Sequence, residues 1–435
     1  MNQNSDRVLM NYKRMTDSSK IKAMKFLTRL ETPCGMARPD LQPFVAMKKV
    51  HLSLSHGMCQ FSPVGFAHFG ALLARRGNIP DGYRYSKMGK NLLSVIGSNE
   101  VAGEVICVST HVFCFVEPVQ STNEFYQEGH KTAMAAGDMI IAMVNIIIHS
   151  VNCFWIGSSL PTVRKNFEST RYLLEQQNNA TFLSQILPVM RNLSRLIGTD
   201  NLDNNNPPCE ETTMEHDLLA RNPFQATTFI FQKLYISFLF REYDQMKSLA
   251  EQYFQLPFKS WTLIFSTSAR VFISGLASFW IYRQIGDIIW IERGQKAKKI
   301  LSHWTGSCEW NFSNKYYLLE AEEYWCNDDC EHAKTSYNKA IYYAKEHKFI
   351  NEEALACELA AYFHLSLGDR NNAVNYFTKA YESYHQWGAF AKTSKLYEFI
   401  QAEFGFVQRV LTPHSLALSQ NERRNLDEIP RKRVS

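Results

Sequence analysis

The chain has 435 residues, more than the ~250–300 at which a single hydrophobic core stops growing, so the sequence predicts several domains or a repeat array. Apolar residues make up 45% of it and charged residues 20%, which excludes disordered and collagen-like proteins. The net charge of +5 is concentrated in residues 1–30 and 412–435, so no basic groove runs along the body, which argues against nucleic acid as a partner.

Residues 1–30 are predicted to form a basic amphipathic helix that begins the array. This stretch combines cations with apolar residues: Lys13, Arg14, Lys20, Lys22, Lys25 and Arg29 with Met15, Met24, Phe26 and Leu27. Such a helix could contact anionic lipid at a membrane, but a solvated face on a terminal repeat is the favoured interpretation. The stretch ETPCGMARPD (31–40) is predicted to connect this helix to the second.

Residues 31–411 are predicted to form one helical array with an exposed loop and a tail beyond it. Residues 197–217 are polar and contain a Pro-Pro pair, which is typical of an exposed loop. Residues 412–435 are charged and lack aromatic residues, which predicts a disordered tail. The ten cysteines form no disulfide framework, and no secretory signal or membrane-spanning stretch is visible, so we expect a cytoplasmic protein.

A forty-residue repeat is visible where proline is absent, between Lys259 and Thr412. Two segments carry the same apolar steps of +4, +3, +1 and +3: Ala333, Tyr337, Ala340, Ile341 and Ala344, then Ala373, Phe377, Ala380, Tyr381 and Tyr384. Such spacing indicates helices, and a forty-residue period with two helices per unit is typical of a solenoid. The sequence therefore predicts an all-α fold, a TPR-like α-solenoid.

The last repeat illustrates how such units are predicted to pack. Gly368 suits a left-handed turn, and Asp369 suits an N-cap. Small residues let helices approach closely, and Trp387 is predicted to hold the last helix pair onto the one before it. The predicted repeat-packing residues are Gly368, Asp369, Ala373, Phe377, Ala380, Tyr384, Trp387, Gly388, Ala389 and Lys392.

Motifs that would carry catalysis or hold a ligand are weak. Gly82 and the sequence Gly89-Lys90-Asn91 have the wrong spacing for a phosphate-binding loop and lie in a predicted helix. Cys326, Cys330 and His332 have an unusual spacing for a metal site and fall on a turn between helices, so a structural turn is favoured. We therefore predict no enzyme activity and no catalytic, cofactor-binding or metal-binding residues.

Several separated motifs resemble a known family. These are the sequences Asn351-Glu352-Glu353-Ala354-Leu355-Ala356, Glu358-Leu359-Ala360-Ala361 and Trp387-Gly388-Ala389, with weaker likeness from about Asp17 to Gln401. They resemble the helical-repeat region of large multidomain serine/threonine–histidine signalling kinases that also carry an AAA-type (STAND-like) ATPase domain. The kinase and ATPase motifs themselves are missing from this chain, so the resemblance implies a repeat fold and a signalling context without those activities.

Two hypotheses about function follow. The first is a non-enzymatic helical-repeat scaffold or regulatory arm that binds protein partners in intracellular signalling, because solenoids present extended concave surfaces. The second is a separated or truncated piece of an AAA-ATPase-containing serine/threonine–histidine kinase that acts with catalytic domains on another chain. In either case the expected partners are proteins, with kinase or ATPase signalling components as candidates, and the sequence singles out no partner-binding residue.

Overall fold

The computed structural model describes residues 11–38, 40–199, 223–256 and 263–405. These residues are helices and short turns, and the one β-bridge among them joins Arg14 to Met58. The prediction of an all-α protein is confirmed. The predicted tail at 412–435 and nearly all of the predicted loop at 197–217 lie outside the described residues.

The described residues before 200 form what we call the N-terminal arm. Its helices are α1 (Ser18–Ala37), α2 (Gln42–His56), α3 (Ser62–Arg75), α4 (Ile79–Ile96), α5 (Ala102–Phe113), α6 (Val119–Thr122), α7 (Glu124–Ala135), α8 (Met139–Trp155), α9 (Leu160–Gln176) and α10 (Ala180–Ile197).

The described residues after 222 form the C-terminal arm. Its helices are α11 (Pro223–Leu239), α12 (Tyr243–Gln255), α13 (Phe265–Ile285), α14 (Ile288–Thr305), α15 (Glu309–Cys326), α16 (Cys330–Glu346), α17 (Ile350–Ser366), α18 (Arg370–Trp387) and α19 (Phe390–Phe404).

The stretch predicted as a connector, 31–40, is largely helical. Helix α1 continues through Pro33 and ends at Ala37, so that prediction is wrong for its first seven residues. The physical reason is tertiary: Glu31 is buried and its carboxylate lies 2.7 Å from Nζ of Lys49 on α2. An ion pair between the two helices favours helix in the last turns of α1, despite the missing amide of Pro33.

Turns recur at regular intervals in both arms. Left-handed backbone occurs at Gly137, Gly157, Asn178 and Gly198 in the N-terminal arm, and at Asp328, Lys348, Gly368 and Gly388 in the C-terminal arm, in steps of 20 or 21 residues. The side chains of Asp138, Asn179, Asp329 and Asp369 each accept a hydrogen bond from an amide in the first turn of the following helix. One helix and one turn therefore occupy about twenty residues.

Each helix packs on the next in the chain. Among the described residues, seven helices also pack on the next but one, namely α1, α3, α5, α8, α11, α13 and α15. A hydrophobic core extends from Ile79 to Ile400 and includes residues of both arms. The arms are therefore joined through a shared interior. In particular α10 contacts α19, and α8 contacts α13.

Candidate functional site

The predicted repeat-packing residues lie where α17, α18 and α19 meet. Gly368 has a φ of 75°, and the carboxylate of Asp369 accepts a hydrogen bond from the amide of Asn372 at 3.2 Å. The next four predicted residues on α18 are buried completely: Ala373, Phe377, Ala380 and Tyr384. These side chains fill the space between helices and leave no surface for a ligand.

Trp387 contacts the other arm of the protein. The side chain is 1% exposed, its ring centroid lies 5.9 Å from that of Phe154, and Nε1 donates to the carbonyl of Ser158 at 3.1 Å. Beside it, a Cβ added at Gly388 would lie 2.8 Å from Cδ of Pro161. The sequence predicted that Trp387 packs within the last repeats; the structure adds a partner about 230 residues away, which periodicity alone could not reveal.

Lys392 is a buried cation in the same region. Its Nζ lies 2.6 Å from the Glu358 carboxylate and donates to the carbonyl of Leu239. The hydroxyl of Tyr384 donates to the same carboxylate at 2.8 Å. Burial lowers the pKa of Lys392, and the Glu358 charge opposes that effect. The arrangement holds α19, α17 and α11 together.

Other buried polar pairs link alternate helices along the C-terminal arm. Arg283 on α13 lies 2.6 Å from Glu322 on α15, and Lys315 on α15 lies 2.8 Å from Glu352 on α17. Burial lowers the pKa of Lys315 and raises that of Glu352, since both charges have left water. Sequence reasoning missed these pairs because a charged residue in a helix is ordinarily solvated.

Between the arms runs what we call the seam, the contacts that Trp310, Asn311, Asn351, Trp387 and Ala391 make with the N-terminal arm. Asn311 is the most fully bonded of them. Its Nδ2 donates to the carbonyls of Cys114 and Glu117, both at 2.8 Å, and its Oδ1 accepts from the amide of Val119 at 3.0 Å. One side chain thereby satisfies three backbone groups between α5 and α6.

Further seam contacts follow in chain order. Trp310 donates to Oε1 of Gln120 at 3.0 Å, and Nδ2 of Asn351 donates to the carbonyl of Trp155 at 3.2 Å. A Cβ added at Gly198 would lie 3.4 Å from Cβ of Ala391.

Three of the seam positions on the C-terminal side are forty residues apart: Asn311, Asn351 and Ala391. They face Cys114, Trp155 and Gly198, which are 41 and 43 residues apart. Successive units of one arm thus meet successive units of the other, and part of each arm's surface is covered by the chain itself.

The weak motifs occupy structural positions. Gly82 and Gly89 lie in α4 where it crosses α3, and added Cβ atoms would lie 2.7 Å from Cβ of Ala74 and 2.8 Å from the carbonyl of Pro63 respectively. Nδ1 of His332 forms a hydrogen bond with the carboxylate of Asp329, the N-cap residue of α16, at 2.8 Å.

Burial raises the pKa of the Cys326 thiol to about 11, which keeps it protonated and disfavours metal binding. Within the described ranges, no three His, Cys, Asp or Glu side chains are placed to hold a metal ion.

The basic first helix is anchored to its neighbours. Met24 is buried completely, while Arg29 pairs with Glu100 at 3.0 Å and with Asp138 at 3.2 Å. Lys25 also pairs with Glu100, at 3.2 Å. No helix in the part of the chain that the structure describes has both the length and the apolar character needed to cross a membrane.

No protein-family model matches the chain, and no curated protein matches it at a significant level.

Proposed function

We propose that this protein is a non-enzymatic, TPR-like α-solenoid that acts as a scaffold for protein partners in cytoplasmic signalling. The observation that carries the proposal is the regular stacking of helices in both arms, with left-handed turns in steps of 20 or 21 residues. Two such helices make a unit of about forty residues, which agrees with the repeat in the sequence. Stacked helix pairs of this kind offer large surfaces to other proteins.

The use of buried polar groups supports a role without catalysis. Lys392, Lys315 and Arg283 each pair with one carboxylate on the next helix but one, and each pair is enclosed by the array. Catalytic cations and carboxylates instead face a cleft that a substrate can enter. The pairs account for the buried charge as helix-to-helix connections.

The seam changes where partners are expected to bind. An open solenoid would offer its concave surface, but here the hydrogen bonds of Asn311, Asn351 and Trp387 join the two arms and cover part of the surface of each. Partners of the scaffold therefore bind its outer faces and its ends.

The test is affinity capture with the full chain, followed by mass spectrometry and measurement of direct binding for each captured protein. The proposal expects at least one saturable protein partner and no saturable heat with Mg-ATP at about millimolar concentration in calorimetry. Absence of any direct partner, or a micromolar affinity for Mg-ATP, would contradict it.

The resemblance to repeat regions of serine/threonine–histidine kinases supports the signalling context. If this context is right, captured proteins include kinase or AAA-type ATPase components. Captured partners drawn wholly from other processes would contradict the signalling role and leave the scaffold role in place.

A further inference from the structure

We propose that the outer face of α2 binds an acidic amphipathic helix of a partner protein. This inference rests on the proposed scaffold function and names the chemistry of one partner. The α2 face, as we call it, consists of Phe44, Met47, Lys48, His51 and Leu54, all of which are exposed.

The apolar residues of the α2 face form a row along one side of the helix. Phe44 is 65% exposed, Met47 41% and Leu54 39%. Residues three and seven apart lie on the same side of an α-helix, and the ten residue steps from Phe44 to Leu54 make the row about 15 Å long. The opposite side of α2 is buried and packs towards α3 through residues that include Val45 and Leu52.

The position of α2 makes this exposure unusual. It packs on α1 and α3, at the N-terminal end of the described array. A surface helix ordinarily presents polar residues on the side that faces away from its neighbours. An apolar row there indicates a surface that another molecule covers.

The charge around the row specifies the sign of that molecule. Helix α2 contains two lysines and two histidines but no Asp or Glu. On α1 the single acid is Glu31, which is buried against Lys49, and Lys22 is exposed. The other exposed cations of α1, Lys25 and Arg29, are already paired within the chain with Glu100 and Asp138. A second copy of this chain would bring the same positive charge to the contact, while an acidic partner would complement it.

The shape of the surface favours a helical partner. The backbone hydrogen-bonding groups of α2 are used within the helix, so it has no strand edge to offer an extended peptide. An amphipathic helix can instead lay its anchors at i, i+3 or i+4, and i+7 along the row of Phe44, Met47 and Leu54. Acidic residues flanking those anchors would lie near Lys48, which is on the same face of α2.

The test uses an unbiased display library of helical peptides, selected on the full-length protein. Selection is repeated on the variant Phe44→Glu with Met47→Glu, and on the control Tyr172→Glu, which alters an exposed aromatic residue on α9. All three proteins are compared by circular dichroism and thermal unfolding, so that binding is judged on folded chains. For each enriched peptide, binding is measured on the wild type and on both variants.

The proposal expects enriched peptides that carry apolar residues at i, i+3 or i+4, and i+7 together with excess Asp and Glu. Their affinity should fall at least about tenfold in the Phe44–Met47 double variant, a loss typical of interface anchors, and should be unchanged in Tyr172→Glu. Affinity should also weaken as salt is raised, because the charges lie at the surface.

Four results would overturn the proposal. Two concern the peptides: enrichment of neutral or basic sequences, or equal affinity of the enriched peptides for the wild type and the double variant. The third is concentration-dependent dimerisation of the protein that the double variant abolishes. The fourth is binding to vesicles with about 30 mol% phosphatidylserine that depends on Phe44 and Met47 while no peptide is enriched. If any of these results refutes the α2 face, direct capture of protein partners by the wild type would leave the scaffold function intact. Failure of the wild type to capture any direct partner would refute the scaffold function itself.

Discussion

The two arms build the same helix-and-turn geometry from different side-chain chemistry. In the N-terminal arm, helices approach closely at glycines: a Cβ added at Gly70 would lie 2.6 Å from the carbonyl of Gly82, and one added at Gly103 would lie 2.6 Å from Cβ of Ala133. In the C-terminal arm, alanines and aromatic residues fill the helix interfaces, and buried ion pairs such as Lys392 with Glu358 connect alternate helices.

The comparison shows that the two arms share the spacing of their turns and differ in the balance of side chains at their helix interfaces. Glycine contacts depend on backbone atoms meeting, so they tolerate almost no added volume. Ion pairs depend on two complementary charges, so they tolerate changes of volume better than the loss of one charge. Glycine contacts are the more frequent of the two in the N-terminal arm and buried ion pairs in the C-terminal arm, although Gly275 and Gly294 also make close contacts and Glu31 also pairs with Lys49. Substitutions of each kind should therefore act mainly in one arm.

The largest effect is expected in the C-terminal arm for Lys392→Met. Removal of this cation leaves the Glu358 carboxylate buried and unpaired, which should lower the free energy of unfolding by about 3–5 kcal/mol. Chemical denaturation of the wild type and the variant measures this change in the free energy of unfolding. The exposed pair of Arg171 with Glu175 is the matched control, and Arg171→Ala should change stability by less than about 1 kcal/mol. Equal effects of the two substitutions would contradict the role assigned to Lys392.

Trp387→Ala should lower the free energy of unfolding by a similar amount, about 3–5 kcal/mol, because it removes a fully buried aromatic side chain. Hydrogen exchange should show weaker protection in residues 354–400, and also in residues 154–163, where Trp387 meets Phe154 and Ser158. Unchanged protection in residues 354–400 would overturn the packing role, and unchanged protection in residues 154–163 would refute the contact between arms.

A smaller effect is expected in the N-terminal arm for Gly70→Ala. The new methyl group would meet the backbone of α4 at Gly82 and Ser86, and overpacking of this kind costs about 1–3 kcal/mol. Gly306→Ala is the control, since its Cβ would lie no closer than 3.5 Å to another atom and its backbone is already helical. Thermal unfolding should separate the two variants, and equal melting temperatures would contradict close packing at Gly70.

The smallest effect concerns pH and the N-terminal end. Burial alone would raise the pKa of Glu31, but the neighbouring His68 and Lys49 outweigh it and lower that pKa below its usual value. The unfolded chain therefore binds this proton more readily, so the stability that Glu31 contributes is present above about pH 4.5 and is lost as the pH falls further. The stability difference between wild type and Glu31→Gln should shrink from pH 7 to about pH 3. If the stability difference between wild type and Glu31→Gln grows as the pH falls, the pKa of Glu31 is raised in the folded protein and the prediction is wrong.

Local chemistry made part of this structure predictable. Apolar steps along residues 333–384 indicated helices, and Asp369 after Gly368 marked a turn that the structure contains. Both features depend on neighbours in the chain, which a single sequence displays directly.

The contacts of Asn311 and Lys392 could not be read in the same way. Their partners lie about 190 and 150 residues away, and nothing in the local pattern distinguishes a buried Asn or Lys in a helix from a solvated one. The close contacts that the glycines of α3 and α4 make are also missed by a search for periodic apolar residues, because glycine adds no side chain to the pattern.

The most direct test of the account is hydrogen exchange on Asn311→Ala, since the central claim is that the two arms are joined along the seam. The substitution leaves the carbonyls of Cys114 and Glu117 and the amide of Val119 without their partner. We expect faster exchange in residues 113–122 as well as in residues 309–326, although the substitution lies almost two hundred residues from the first segment. Faster exchange confined to residues 309–326 would contradict the joined arms.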